Sequence, residues 1–112
     1  MKLENQVVSL ELAKKMKSLG FEQESTWHWC QEQIERWERP FLLQGHGMHK
    51  EYYSAYTVAE LGEMLPDWFY SEKNQGSWLG LHAIRPCKLY KADTEANVRT
   101  KILIHLKENN LI

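Results

Sequence analysis

The strongest constraint on this chain is its last twenty residues, Asp93–Ile112, which read DTEANVRTKILIHLKENNLI. Asp93 or Thr94 can offer a side-chain oxygen to the unbonded N–H groups of a first helical turn. Val98, Ile102, Leu103 and Leu106 then recur at helical spacing and predict one buried stripe. Glu95 and Arg99 form an i,i+4 pair expected on the outer side, worth about 0.2–0.5 kcal/mol. Asn109 and Asn110 end the run. The segment is patterned for packing and carries no ligand motif.

Two further helices are punctuated as clearly. Ser9 caps a helix over Leu10–Leu19, with Leu12, Ala13, Met16 and Leu19 on one face and Gly20 as its stop. Thr57-Val58-Ala59-Glu60 is a capping box, and Tyr56 and Leu61 are spaced for a hydrophobic staple. Pro66 closes that second helix, because the residue before a proline avoids helical dihedrals. At about two turns it holds only by packing Val58, Leu61 and Leu65 against another element.

Between the helices the pattern changes to period two. Ser25–Gln33 alternates, with Trp27, Trp29 and Gln31 on one side and His28 and Cys30 on the other. Trp37–Gln44 is a second strand, broken or placed at an edge by Pro40. Gln44–Gly47 and Asn74–Ser77 read as turns. Trp78–Ile84 is apolar on both faces, which predicts a central strand, and Cys87–Lys91 could extend it past Pro86. The order α-β-β-α-β-α, without regular βαβ alternation, predicts an α+β fold: one small antiparallel sheet of three or four strands packed with three helices.

At 112 residues the chain is expected to form a single domain, residues 1–112. Its 43% hydrophobic and 26% charged residues fit a globular protein rather than a disordered one. Its apolar runs are too short to span a bilayer, and its start lacks the apolar core of a signal peptide. Cys30 and Cys87 are therefore expected to be reduced thiols in a cytoplasmic protein. Residues 21–72 carry three basic against ten acidic side chains, while residues 73–112 carry seven against three. An acidic middle between basic ends argues against one cationic face for nucleic acid.

The candidate reaction centres are weak. His28, Cys30, His46, His49 and His82 include a His-x-x-His pair, but zinc sites want four convergent donors and no Cys-x-x-Cys is present. Neither a metal nor a cofactor is therefore expected. A nucleophilic Cys30 would need His28 to lower its pKa, and their shared strand face is what alternation gives anyway. Glu32, Glu35 and Glu38 lie among Arg36 and Arg39 as on a solvated edge. Gly45-His46-Gly47 lacks the third glycine and the following helix of a phosphate loop. No catalytic residue is expected.

What exceeds the needs of a small core is the aromatic content. Tyr52, Tyr53, Trp68, Phe69, Tyr70 and Trp78 are the candidate interaction surface, since exposed Trp and Tyr anchor protein interfaces. They point to contact with another protein or a second copy. The alternative is a nucleic-acid-associated protein, with Trp27, Trp29, Trp37 and Trp78 stacking on bases and the basic C-terminal third adding attraction.

The segment Tyr53–Pro66 (YSAYTVAELGEMLP) resembles a stretch of small uncharacterised phage and prophage proteins of gut bacteria. So do Gln6–Lys15 (QVVSLELAKK) and the end of the chain, with Thr94-Glu95-Ala96, Lys101–Ile104 and Glu108-Asn109. The chain is more loosely similar to small phage domains with a sheet between helices. The resemblance implies a mobile-element origin and a place in the host cytoplasm, and brings no catalytic residues with it.

Overall fold

The computed structural model describes residues 2–31, 41–45, 51–66, 69–82 and 88–112. After a 3-10 turn at Leu3–Asn5, the elements are α1 (Leu10–Ser18), β1 (Trp27–Gln31), β2 (Phe41–Gln44) and β3 (Glu51–Ser54). Then come α2 (Val58–Met64), β4 (Phe69–Asn74), β5 (Ser77–His82), β6 (Tyr90–Ala92) and α3 (Glu95–Glu108). The class is α+β, with three helices in the expected places.

The strands divide differently from the expectation of one sheet. They form two three-stranded antiparallel sheets, ordered β2-β1-β3 and β4-β5-β6. β3 and β4 are the unforeseen members. In β4 only alternate residues near its start are half-buried, so Ser71 to Asn74 carry no apolar alternation. The chain past Pro86 does not prolong β5; Tyr90–Ala92 runs back beside it, with Gly80 opposite Tyr90. β5 is central, as its two apolar faces predict. Trp37–Pro40 of the expected second strand lie outside the described residues, as do His46, Gly47, Ile84 and Cys87.

All three helix caps form as the sequence dictates. Ser9 Oγ accepts from Leu12 N at 3.5 Å, and Thr94 Oγ1 accepts from Asn97 N at 3.2 Å. The capping box closes both ways, with Glu60 N donating to Thr57 Oγ1 at 3.2 Å and Thr57 N to Glu60 Oε1 at 2.9 Å. Such a cap contributes about 0.5–2 kcal/mol.

α3 is the centre of the molecule. Ala96, Val98, Thr100, Ile102, Leu103, Ile104 and Leu106 are all buried, because the helix packs on α1, α2 and each strand of the second sheet. Thr100 satisfies its hydroxyl by donating to Ala96 O at 2.8 Å. Each fully buried leucine or isoleucine contributes roughly 1.5–3 kcal/mol. Gly80 permits the close approach: a Cβ there would meet Ile102 Cδ1 at 3.0 Å and Val98 Cγ2 at 3.1 Å.

The Glu95–Arg99 pair is not on an open outer side. Its side chains are only 21% and 16% exposed, and Arg99 Nη2 lies 2.7 Å from Glu95 Oε1. Arg99 Nη1 also donates to Val58 O at 2.8 Å, and the guanidinium sits 4.9 Å from the Phe69 ring centroid. One side chain thus ties α3 to the start of α2 and to β4.

The N-terminal segment fastens the helix starts together. Val8 N donates to Tyr56 O, Val58 N donates to Gln6 O, and Ser9 N donates to Asn97 Oδ1 at 2.9 Å. α1 covers the face of the first sheet that carries Trp29 and Tyr53. Trp29 Nε1 donates to Val8 O at 2.8 Å.

Candidate functional site

The aromatic residues singled out by the sequence fall on two different sheets. Tyr52 and Tyr53 belong to β3, both half-buried, and Lys17 lies over both rings at 4.5 and 5.1 Å. Lys17 Nζ also donates to Tyr52 O at 2.8 Å, which occupies a carbonyl of β3. Phe69 and Trp78 lie on the second sheet, half-buried and packed against the core. Trp68 lies outside the described residues. Tyr70 is the described member of the group that remains more than half exposed, at 52%.

Tyr70 belongs to a surface that the strand register assembles. Gly80 faces α3, so alternation turns its neighbours Leu79 and Leu81 to the opposite, outer face of the sheet. Tyr70 pairs directly with Leu81, and Glu72 with Leu79. On the other side Leu79 pairs with Lys91. The outer face therefore carries the directly paired Tyr70 and Leu81, exposed by 52% and 37%, and Leu89, exposed by 61%, immediately precedes β6. Next to that pair runs a row of Glu72, Leu79 and Lys91.

The polar groups of this face are simple. Tyr70 donates its hydroxyl to Glu72 Oε2 at 2.7 Å. That hydrogen bond, with the carboxylate charge behind it, raises the Tyr70 phenol above its ordinary value of 10. The contact holds the ring along its own strand, and Tyr70 stays 52% exposed. Leu79, Leu81 and Leu89 are the site residues that sequence reasoning misses; the two-faced apolarity of β5 is the signal for Leu79 and Leu81, and Leu89 has none.

A cleft of about 890 Å³ opens at the other side of the second sheet. Trp78, Lys73 and Gly76 form one wall, Thr57, Val58 and Ala59 another, with Asn5, Gln6, Asp93, Thr94 and Glu95 closing it. Most of its polar groups already have structural roles. Thr57 and Thr94 cap helices, Glu95 holds Arg99, and Asp93 Oδ1 accepts from Asn97 Nδ2 at 3.1 Å. The cleft offers an indole and an ammonium beside two carboxylates, a mixed lining suited to binding rather than to activating a nucleophile.

His28 and Cys30 lie where alternation puts them, both buried on the face of β1 opposite the one that carries Trp29. His28 Nε2 is 3.1 Å from Gln23 O and 3.4 Å from Ser54 Oγ, so the ring is part of the hydrogen-bonding that fixes Gln23 against β3. The Cys30 thiol points to the carbonyl of His28 at 3.9 Å. Neither geometry sets an imidazole nitrogen against the sulfur. His46 and His49 lie outside the described residues, and among those described no group of three or more His, Cys, Asp or Glu could hold a metal ion. Among the same residues no helix is long and apolar enough to cross a membrane.

Comparison with known proteins finds no matching family, no matching curated protein and no matching solved structure.

Proposed function

We propose that this chain is a non-enzymatic accessory protein of phage or prophage type that acts by protein contact, through the outer face of β4, β5 and β6. The observation that carries the reading is the exposed apolar group Tyr70, Leu81 and Leu89. Tyr70 and Leu81 are paired across β4 and β5 on the face turned away from α3, and Leu89 immediately precedes β6. An antiparallel sheet with one face on its core ordinarily presents polar residues on the other. Apolar groups there, with Glu72 and Lys91 at the rim, are what a protein interface needs. The resemblance of Tyr53–Pro66 and of both chain ends to phage and prophage proteins supports the origin and the host cytoplasm as the place of action.

The test is retention of partners by the tagged chain from a host-cell lysate, with and without nuclease, for wild type and Leu81→Glu side by side. A discrete protein that survives nuclease and is lost with Leu81→Glu is the expected result. Equal retention by both chains would refute the use of this face. A second reading rests on Trp78 and Lys73 sharing the 890 Å³ cleft: stacking of a nucleobase on the indole beside a cation. Asp93 and Glu95 at the same cleft oppose a phosphate backbone, so this reading ranks second. It requires retention that falls steeply with salt, which an apolar contact does not show.

A further inference from the structure

The outer face of the second sheet is complementary to itself, and we infer that its partner is a second copy of this chain, paired face to face about a two-fold axis along β5. The inference rests on the contact reading above and names the partner for it. Glu72 and Lys91 flank Leu79 on its two sides, one on β4 and one on β6. Each flanking strand lies about 4.8 Å from β5, so the two charges are equidistant from that axis and opposite in sign. Rotation by half a turn about β5 lays β4 of one copy over β6 of the other. Glu72 then meets Lys91 of the second copy and Lys91 meets its Glu72, while Leu79 covers Leu79 and Leu81 covers Leu81. An axis across the strands would instead keep β4 on β4 and bring Glu72 towards Glu72.

Reach agrees with this arrangement. Stacked sheets sit about 10 Å apart, a gap that one glutamate and one lysine side chain span together, and the leucines between them fill it. The isologous rule is satisfied, since every contact made by one copy is returned by the other. Three strands by two rows cover only a few hundred Å² per copy, below the roughly 800 Å² of a standard interface. Pairing is therefore weak and concentration-dependent, with a Kd on the order of 100 µM.

The experiment is sedimentation of the full chain from about 10 µM to about 1 mM, which brackets that Kd. Wild type is expected to shift from monomer to dimer across this range. Glu72→Lys and Lys91→Glu each replace two opposite-charge contacts by like-charge ones, so each is expected to weaken self-association about tenfold. An equimolar mixture of the two variants is expected to dimerise again. In that mixed pair the new ammonium at position 72 of one chain faces the new carboxylate at position 91 of the other, and the second contact keeps its native signs. The double variant E72K/K91E is expected to dimerise alone. Both positions are exposed, so folding is not at stake. A wild type that stays monomeric to the top of the range, or charge swaps that fail to restore pairing, would overturn the inference. If wild type is monomeric yet loses its nuclease-resistant lysate partner on Leu81→Glu, self-pairing falls and the contact reading stands. If Leu81→Glu changes neither measurement, both fall.

Discussion

Substituting Gly80 with alanine tests how closely α3 lies on the second sheet. In an ordinary strand the change would stabilise, because glycine carries a penalty of about 0.5–1 kcal/mol against alanine. Here the added Cβ would stand 3.0 Å from Ile102 Cδ1, 3.1 Å from Val98 Cγ2 and 3.4 Å from Tyr70 O. Two methyl groups and a carbonyl surround it, and Val98 and Ile102 are fully buried, so they have no free volume to move into. Overpacking a filled core costs about 1–3 kcal/mol. Subtracting the backbone gain leaves Gly80→Ala about 0.5–2 kcal/mol less stable than wild type. Ile102→Val removes the nearest offending atom, at a cost by itself of about 0.5–1.5 kcal/mol. In the double variant that loss and the clash partly cancel, giving a coupling of roughly 0.5–1 kcal/mol. Urea unfolding followed by tryptophan fluorescence measures all four corners of the cycle, with an unchanged slope required for the comparison. Gly80→Ala at or above wild-type stability, or strict additivity with Ile102→Val, would show that helix and sheet do not meet as closely as described.

Other expectations concern the joints of the fold. Arg99→Met should cost about 1–3 kcal/mol, since it strips the hydrogen bond to Val58 O and leaves the half-buried Glu95 carboxylate without its ion pair; a stability loss no greater than for exposed Lys2→Met would contradict that role. Thr57→Ala opens the capping box and should cost about 1 kcal/mol, read as an earlier thermal midpoint and as faster amide exchange within α2. Burial pushes the phenols of Tyr56 and Tyr90 above their ordinary value of 10. The folded chain therefore holds these protons more tightly than the unfolded one. Their contribution is complete below the unfolded value and disappears as pH rises through the folded values. Urea midpoints should be level to about pH 9 and fall beyond about pH 10, and the Tyr56→Phe/Tyr90→Phe variant should flatten that decline. The drop surviving in full would place the alkaline transition elsewhere.

Local chemistry was legible residue by residue. Ser9, Thr57, Thr94 and Pro66 mark helix ends because each acts on backbone groups within about four residues, and no distant partner can easily overrule a bond that close. Trp78–Ile84 announced a central strand through apolarity on both faces, and the neighbours of β5, which holds its described part, bear that out on either side. The sequence also singled out Tyr70, though only as one of several aromatics of equal standing.

Tertiary structure decided the rest. Whether the six short strands among the described residues make one sheet or two depends on pairings between residues far apart in the chain, and neither Glu51–Ser54 nor Phe69–Asn74 has enough alternation to declare its partners. Arg99 reads as a surface residue until α2 and Phe69 close over it, because an i,i+4 pair looks the same on an open and on a covered helix face. The contact face exists only across strands: Tyr70 and Leu81, like Glu72, Leu79 and Lys91, are separated in sequence and become neighbours through register alone. Caps and periodicity are written in the chain because they are satisfied locally. The face proposed for contact is a product of long-range hydrogen bonding, which sets side chains from three strands in line on the side that α3 leaves uncovered.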